Sequence, residues 1–107
     1  MTRARSLSPA VLCRRWLRSH EEGSPDELVF RPAGYAFPPS RGRSGFELRP
    51  DGALVRIAIG PADGPRESAG RWRLEDDELV IEPAGSAEPP SRRRVLSATA
   101  ERLVVRR

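Results

Sequence analysis

The sequence predicts an all-β protein: a single small antiparallel up-and-down barrel of about eight short strands. Apolar residues alternate with polar ones over short segments, and turn residues separate these segments at a spacing of roughly 8–12 residues, which is typical of a sandwich or barrel. Eleven prolines and nine glycines divide the 107 residues into short pieces, which argues against long helices. Closing the sheet into a barrel would leave no exposed sheet edge.

An internal repeat supports this architecture. DELVFRPAGYAFPPSRGR (26–43) matches DELVIEPAGSAEPPSRRR (77–94) at thirteen of eighteen positions without a gap. A tryptophan precedes each copy and an LV-containing segment follows each. Biased composition is the alternative, since all 19 basic residues are arginine, but it explains so many ordered matches poorly. We therefore interpret 14–59 and 70–107 as duplicated four-strand halves, closing on each other with approximate two-fold symmetry.

The first half begins with a basic N-terminal segment, 1–13. Ser8-Pro9 suits a helix N-cap followed by proline, so a short helical turn is predicted near 9–13. From Arg14 the period becomes two, which predicts a strand that carries Trp16, Arg18, His20 and Glu22 on one face. A short strand over 28–30 follows and ends at Pro32.

The clearest hairpin spans residues 44–59. Pro50-Asp51-Gly52 predicts its turn, because proline fixes φ and glycine accepts a positive φ. The second half repeats the scheme, with a charged turn at 75–77. The same-face pairs and triplets of its strands are Gly70/Trp72/Leu74, Leu79/Ile81, Val95/Ser97 and Leu103/Val105.

Composition excludes several classes of protein. No apolar run approaches the about 20 residues of a spanning helix. The N-terminal residues carry charge without an apolar core, so we expect no secretory signal, and the lone Cys13 rules out an intrachain disulfide. We expect a single cytoplasmic domain with no membrane association. The formal charge is +4, and the basic residues concentrate towards both ends of the chain.

Two resemblances to known families can be read from these segments. Residues 70–72 (GRW), 77–81, 94–99 and 103–105 resemble the closing strands of small bacterial lipocalin-like (calycin) barrels, although the GxW of true lipocalins lies on the first strand. W-x-x-S-x-E-E (16–22), RPxxYxFPPSRGRxGFE (31–47), DG (51–52) and GPxD (60–63) resemble an uncharacterised family of small bacterial proteins. The first resemblance implies a barrel; the second implies no activity.

A ligand site is predicted where aromatic and arginine residues cluster. Eight strands leave room for packed side chains or for one small ligand. Arginine beside aromatic rings can bind a planar or anionic group by stacking and paired hydrogen bonds. We therefore expect five aromatic residues to line a cavity and three polar ones to orient the ligand: Trp16, Tyr35, Phe37, Phe46 and Trp72, with Arg41, Arg43 and Glu47. A purely structural alternative has Tyr35 and Phe37 plugging the barrel mouth.

Three functions remain open from the sequence. The favoured one is a small-molecule-binding lipocalin-like barrel for a small hydrophobic or anionic ligand. An interaction module that uses its arginine-rich surface is the second, with nucleic acid an improbable partner. The third is a barrel-fold isomerase, cyclase or hydrolase in which His20 or Glu22 transfers a proton. Neither a cofactor nor a metal site is expected, since the single histidine has no third ligand nearby in the sequence.

Overall fold

The strands form a closed, eight-stranded, all-antiparallel up-and-down barrel, which confirms the predicted fold class. The computed structural model describes residues 8–39, 42–60, 64–84 and 89–107. A short helix α1 (Pro9–Leu12) and a 3-10 helix (His20–Glu22) accompany the strands. The strands are β1 (Arg15–Arg18), β2 (Glu27–Pro32), β3 (Gly45–Leu48), β4 (Ala53–Gly60), β5 (Gly64–Glu75), β6 (Glu78–Pro83), β7 (Ser91–Ala98) and β8 (Leu103–Arg106).

The ring order is β1-β2-β8-β7-β6-β5-β4-β3, and β3 closes it against β1. Sequential strands are therefore neighbours except β2 and β3, which flank β1 on its two sides. The connection from β2 to β3 begins beside one end of β1 and ends beside the other: Ala33 donates to the carbonyl of Arg15 at 2.9 Å, and Arg18 donates to the carbonyl of Ser44 at 2.7 Å. We call this connection, residues 33–44, the crossing segment.

The two repeat copies adopt the same strand and then diverge. β2 and β6 begin and end at equivalent positions, 51 residues apart. Arg43, however, precedes β3, whereas its counterpart Arg94 lies inside β7. Since β3 lies between β1 and β4 while β7 lies between β6 and β8, the expected two-fold arrangement of the halves is wrong at the level of strand order. Duplication as the origin of the repeat stays a hypothesis.

The local turns follow their residues. β3 and β4 pair as predicted, with Leu48 opposite Leu54. Gly52 has φ of 90° and donates to the carbonyl of Arg49 at 3.0 Å. Asp76, in the charged turn between β5 and β6, has φ of 56°, a left-handed conformation that aspartate tolerates better than most residues.

The first strand is shorter than predicted. β1 ends at Arg18, and the chain turns into the 3-10 helix because Ser19 and Glu22 bond to each other. The Ser19 hydroxyl donates to Glu22 Oε2 at 2.6 Å, and the Glu22 amide donates to the Ser19 carbonyl at 3.1 Å. Short polar side chains compete with strand pairing in this way. His20 and Glu22 therefore do not share the face of a strand.

One end of the barrel, the closed end, is filled by the core. Leu12 of α1, Trp16 and Leu48 pack there, each no more than 1% exposed. The Trp16 indole donates to the Leu12 carbonyl at 3.0 Å, and the Trp72 indole donates to the carbonyl of Arg49 at 2.8 Å. Buried indole nitrogens usually find such partners. These bonds hold α1 and the β3–β4 turn against the barrel.

Candidate functional site: an arginine-lined cavity

A cavity of about 550 Å³ lies at the opposite end of the barrel, the open end, where β1, β4 and β6 finish. This volume lies within the range of small-molecule sites in proteins. The rings of Phe30 and Phe46 meet inside it with centroids 4.9 Å apart. We call the apolar residues at its base the floor: Leu28, Phe30, Phe46, Leu54 and Leu79.

Three arginines also line the cavity: Arg18 on β1, Arg56 on β4 and Arg93 on β7. Side chains alternate across a strand, so each of them shares the inner face with a core residue two positions away. Those core residues are Trp16, Leu54 and Val95. The described lining contains no aspartate, glutamate or histidine.

Arg18 is the most constrained of the three arginines. Its Nε is buried without a hydrogen-bond partner among the described residues. Burial lowers the pKa of Arg18, and the charges of Arg107 and Arg93 lower this pKa further. A base with a lowered pKa is harder to keep charged in the folded protein than in the unfolded chain. Charged Arg18 therefore costs the ligand-free fold free energy at neutral pH.

Arginines on the outer face behave differently. Arg73 pairs with Glu75 and Glu82, and Arg92 lies 2.7 Å from Glu75. Both arginines are cross-strand neighbours of Val80, an outward-facing residue that is 0% exposed. Arginine stems can cover apolar surface while their charged ends stay in water. Carboxylates therefore neutralise Arg73 and Arg92 on the outer face, whereas the cavity arginines have no carboxylate partner among the described residues.

The aromatic residues expected in the cavity are divided between three places. Phe46 lines the cavity as predicted. Trp16 and Trp72 lie in the core of the closed end, so their expected place in the lining is wrong. The reason is that tryptophan offers a large apolar ring together with an N–H, and both fit the carbonyl-rich closed end.

Tyr35 and Phe37 belong to the crossing segment and do not line the cavity. Arg31 stacks over Tyr35 at 4.5 Å, Tyr35 meets Phe37 edge-on at 5.0 Å, and Arg43 stacks over Phe37 at 4.4 Å. Arg43 also bonds Glu21 Oε2 at 2.6 Å, which raises the pKa of Arg43. The predicted contact of aromatic rings with arginine is present, but it fastens the crossing segment and does not border the cavity.

The remaining predicted ligand residues are not in the lining. Glu47 points outward, where Arg49 Nε at 2.8 Å and Arg15 Nη1 at 3.3 Å hold its pKa below the usual range. Arg41 lies outside the described residues.

The candidate proton-transfer residues lie on the 3-10 helix, away from the cavity lining. The His20 side chain is 52% exposed. Glu22 accepts two bonds from Arg31, at 2.8 and 2.9 Å, which with the Ser19 bond lower the pKa of Glu22 to about 2. Such a carboxylate is a poor proton acceptor at neutral pH. Within the described ranges, no cluster of three or more histidine, cysteine, aspartate or glutamate side chains could hold a metal.

No protein-family model, curated protein or solved structure matches the chain. Among the residues that the structure describes, no helix is long and apolar enough to cross a membrane. The function must therefore be argued from the geometry of the site.

Sequence reasoning did not identify the three cavity arginines, although a signal was present. On β4 the inner row reads Leu54, Arg56, Ala58, and on β7 it reads Ser91, Arg93, Val95. An arginine on the core-facing register of a strand is unusual and therefore marks a special site, and here the side chains of Arg56 and Arg93 stay exposed at the open end. Recognising it requires knowing which face of each strand points inward.

Proposed function

We propose that the protein binds a small molecule in the cavity at the open end of the barrel. The observation that carries this proposal is the cavity itself. If valine, isoleucine and leucine filled the barrel from end to end, no space for a ligand would remain. Here the core fills the closed end, and about 550 Å³ stays open above the floor. Apolar walls with a few convergent polar groups are typical of small-molecule sites.

The lipocalin-like character of the barrel is part of this proposal. In its favour are the closure of eight strands and a first-strand tryptophan packed at the closed end beneath a short helix. The step of the crossing segment past β1 departs from a simple meander. We keep the cytoplasmic location as a prediction, because it rests on composition alone.

The two alternative functions have less support. An interaction module would work through the basic surface, where carboxylates already pair with Arg73, Arg92 and Arg43, although exposed Arg71 has no such partner among the described residues. Proton transfer would need His20 or Glu22 in the cavity, and neither lines it.

Binding of the neutral fluorescent probe N-phenyl-1-naphthylamine tests the proposal. Ala58 lines the cavity on β4, whereas Ala69 is exposed on β5 and does not line it. Tryptophan at either position suits a strand. We expect saturable binding of the probe by the parent protein, with affinity reduced about tenfold, equivalent to 1.4 kcal/mol, in Ala58→Trp and unchanged in Ala69→Trp. Absence of saturable binding, or equal loss in the two variants, would contradict the proposal.

Native mass spectrometry of the freshly purified protein provides a second test. A bound small molecule that is released on denaturation would support the proposal and report the mass of the ligand. Retention of that molecule by Ala58→Trp at parental levels would place it elsewhere on the protein and argue against the cavity as its site.

A further inference from the structure

We propose that the ligand is an amphipathic anion whose negatively charged headgroup is bound by Arg18, assisted by Arg56 and Arg93, while its apolar part rests on the floor of the cavity. This inference rests on the proposed function and deepens it, since it assigns the charge of the ligand and the residues that read this charge.

The charge of the lining carries the first step. Three arginines line one cavity, and Arg93 is near enough to Arg18 for its charge to lower the pKa of Arg18. Arg18 is partly buried, whereas Arg56 and Arg93 are exposed. A partly buried charge normally has a partner, because removing an unpaired charge from water is costly. None of the described lining residues supplies a negative charge. An anionic ligand would supply the missing partner and relieve the repulsion.

The buried Nε of Arg18 carries the second step. It is the one buried side-chain nitrogen or oxygen without a hydrogen-bond partner in the described part of the chain. A guanidinium binds carboxylate, phosphate or sulfate through two parallel N–H bonds, and one such arrangement uses Nε together with one Nη. Nε is closed off from solvent in the free protein, so an anionic headgroup would bond first to an Nη of Arg18 and would reach Nε once the side chain shifts.

The floor carries the third step. Leu28 and Leu79 are 8% and 2% exposed, and with the two phenylalanines they form an apolar surface beneath the arginines. Each methylene buried there contributes about 0.8 kcal/mol. A free inorganic anion would leave this surface unused, and a neutral hydrocarbon would leave the arginines unpaired. An acyl chain or an aromatic body with an anionic group satisfies both.

A charge series at constant chain length tests the inference: octanoate, 1-octanol and octylammonium, measured by displacement of N-phenyl-1-naphthylamine at one ionic strength. We expect octanoate to bind at least about tenfold more tightly than 1-octanol, and octylammonium to bind most weakly. Octyl phosphate, run beside octanoate, distinguishes a phosphate headgroup from a carboxylate. Inorganic phosphate should not displace the probe at concentrations where octyl phosphate does.

Variants locate the charge selectivity. Arg18→Met keeps an unbranched apolar stem, and we expect it to weaken octanoate about tenfold or more while 1-octanol changes by less than about threefold. Arg93→Met should show a smaller effect of the same kind, and it keeps the test available if Arg18→Met does not fold. Arg71→Met removes the same charge from the exposed outer face of β5 and should leave both affinities unchanged.

The outcomes separate the two proposals. Equal binding of octanoate and 1-octanol, equal losses in Arg18→Met and Arg71→Met, or displacement by inorganic phosphate as strong as by octyl phosphate would overturn the anionic amphiphile and leave a small-molecule barrel standing. Failure of the neutral probe and of all octyl compounds to bind would remove the proposed function itself.

Discussion

Replacing Arg18 should stabilise the ligand-free protein, which is an unusual expectation for a half-buried residue in the wall of a barrel. A buried donor without a partner costs about 1–3 kcal/mol. Lysine has a methylene at the position of Nε, so Arg18→Lys removes the unpartnered donor and keeps the charge. Arg18→Met removes the donor and also the repulsion from Arg93 and Arg107. The two variants therefore separate the cost of burying the Nε donor from the cost of repulsion between the arginines.

The expected magnitudes follow from these terms. Arg18→Lys should raise the free energy of unfolding by about 1 kcal/mol, the lower end of the cost of an unsatisfied donor, because neighbouring atoms of the guanidinium remain in contact with water. Arg18→Met should raise it by about 1–2 kcal/mol, since removal of like-charge repulsion adds to that term. For a domain of this size, 1 kcal/mol corresponds to a rise in Tm of about 4 °C.

Urea denaturation of protein stripped of bound small molecules measures the effect, with an unchanged m-value as the sign that the native and denatured states are comparable. Arg71→Met serves as the control and should stay within about 0.5 kcal/mol of the parent. If Arg18→Lys proves less stable than the parent by about 1 kcal/mol or more, Nε is satisfied in solution and the reasoning is refuted. Saturating octanoate should reverse the ranking, because ligand binding stabilises the parent more than the variants.

Three further predictions concern stability. Glu22 has a pKa of about 2 in the folded protein against an ordinary 4.5, so ionised Glu22 stabilises the fold above about pH 5 and this stabilisation disappears towards pH 2. Urea titrations should show Glu22→Gln less stable than the parent by about 1 kcal/mol at neutral pH and equally stable at the acid limit. Gly45→Ala would place a Cβ 1.9 Å from a backbone oxygen and should lose the folded circular dichroism spectrum, whereas Gly34→Ala, with nothing within 4 Å, should keep it. Leu103→Ala should lower the free energy of unfolding in urea by about 2–5 kcal/mol, and Ile59→Ala, at a residue that is 42% exposed, by about 0.5 kcal/mol. Similar losses in the two variants would contradict the assigned core.

Alternation and turn chemistry were sufficient to predict the eight-strand barrel and the β3–β4 hairpin, but not the ends of every strand. Proline, aspartate and glycine at 50–52 dictate a tight turn, and the flanking apolar residues can then pair only as a hairpin. These interactions connect neighbours in the sequence, so a single sequence records them. The 3-10 helix at 20–22 was missed because the side-chain bond between Ser19 and Glu22 overrode an alternation that had no consistent apolar face.

Strand order was harder to predict, and the repeat shows why. Two segments have nearly the same letters, 38–43 and 89–94, yet the first ends before β3 and the second runs into β7, and these strands lie in different positions of the ring. Local propensity is almost the same in both, so the difference comes from long-range pairing: β1 occupies the place beside β2 that a simple meander would give to β3. Periodicity identifies which residues of a strand share a face, but it does not identify the neighbouring strands in the sheet.

The candidate site shows the same limit. The sequence placed Arg18 on the same face as Trp16, but the identity of the inner face followed only from the closed ring. The sequence also grouped Tyr35, Phe37 and Arg43 as a ligand site, and they do lie near one another, since Phe37 contacts both Tyr35 and Arg43. Their position outside the cavity depends on the path of the crossing segment past β1, which no local pattern specifies.

The distribution of charge links the fold to the proposed ligand. The chain carries 19 arginines and 15 aspartates and glutamates. Carboxylates pair with arginines of the outer face and of the crossing segment, such as Arg31, Arg43 and Arg73. Arg18, Arg56 and Arg93 have no such partner among the described residues, so positive charge is concentrated at the open end. Low-dielectric walls focus such a field and draw anions towards the cavity. The cost of leaving the partly buried Arg18 unpaired in the free protein is then a source of selectivity when an anion binds, and the exposed Arg56 and Arg93 add attraction.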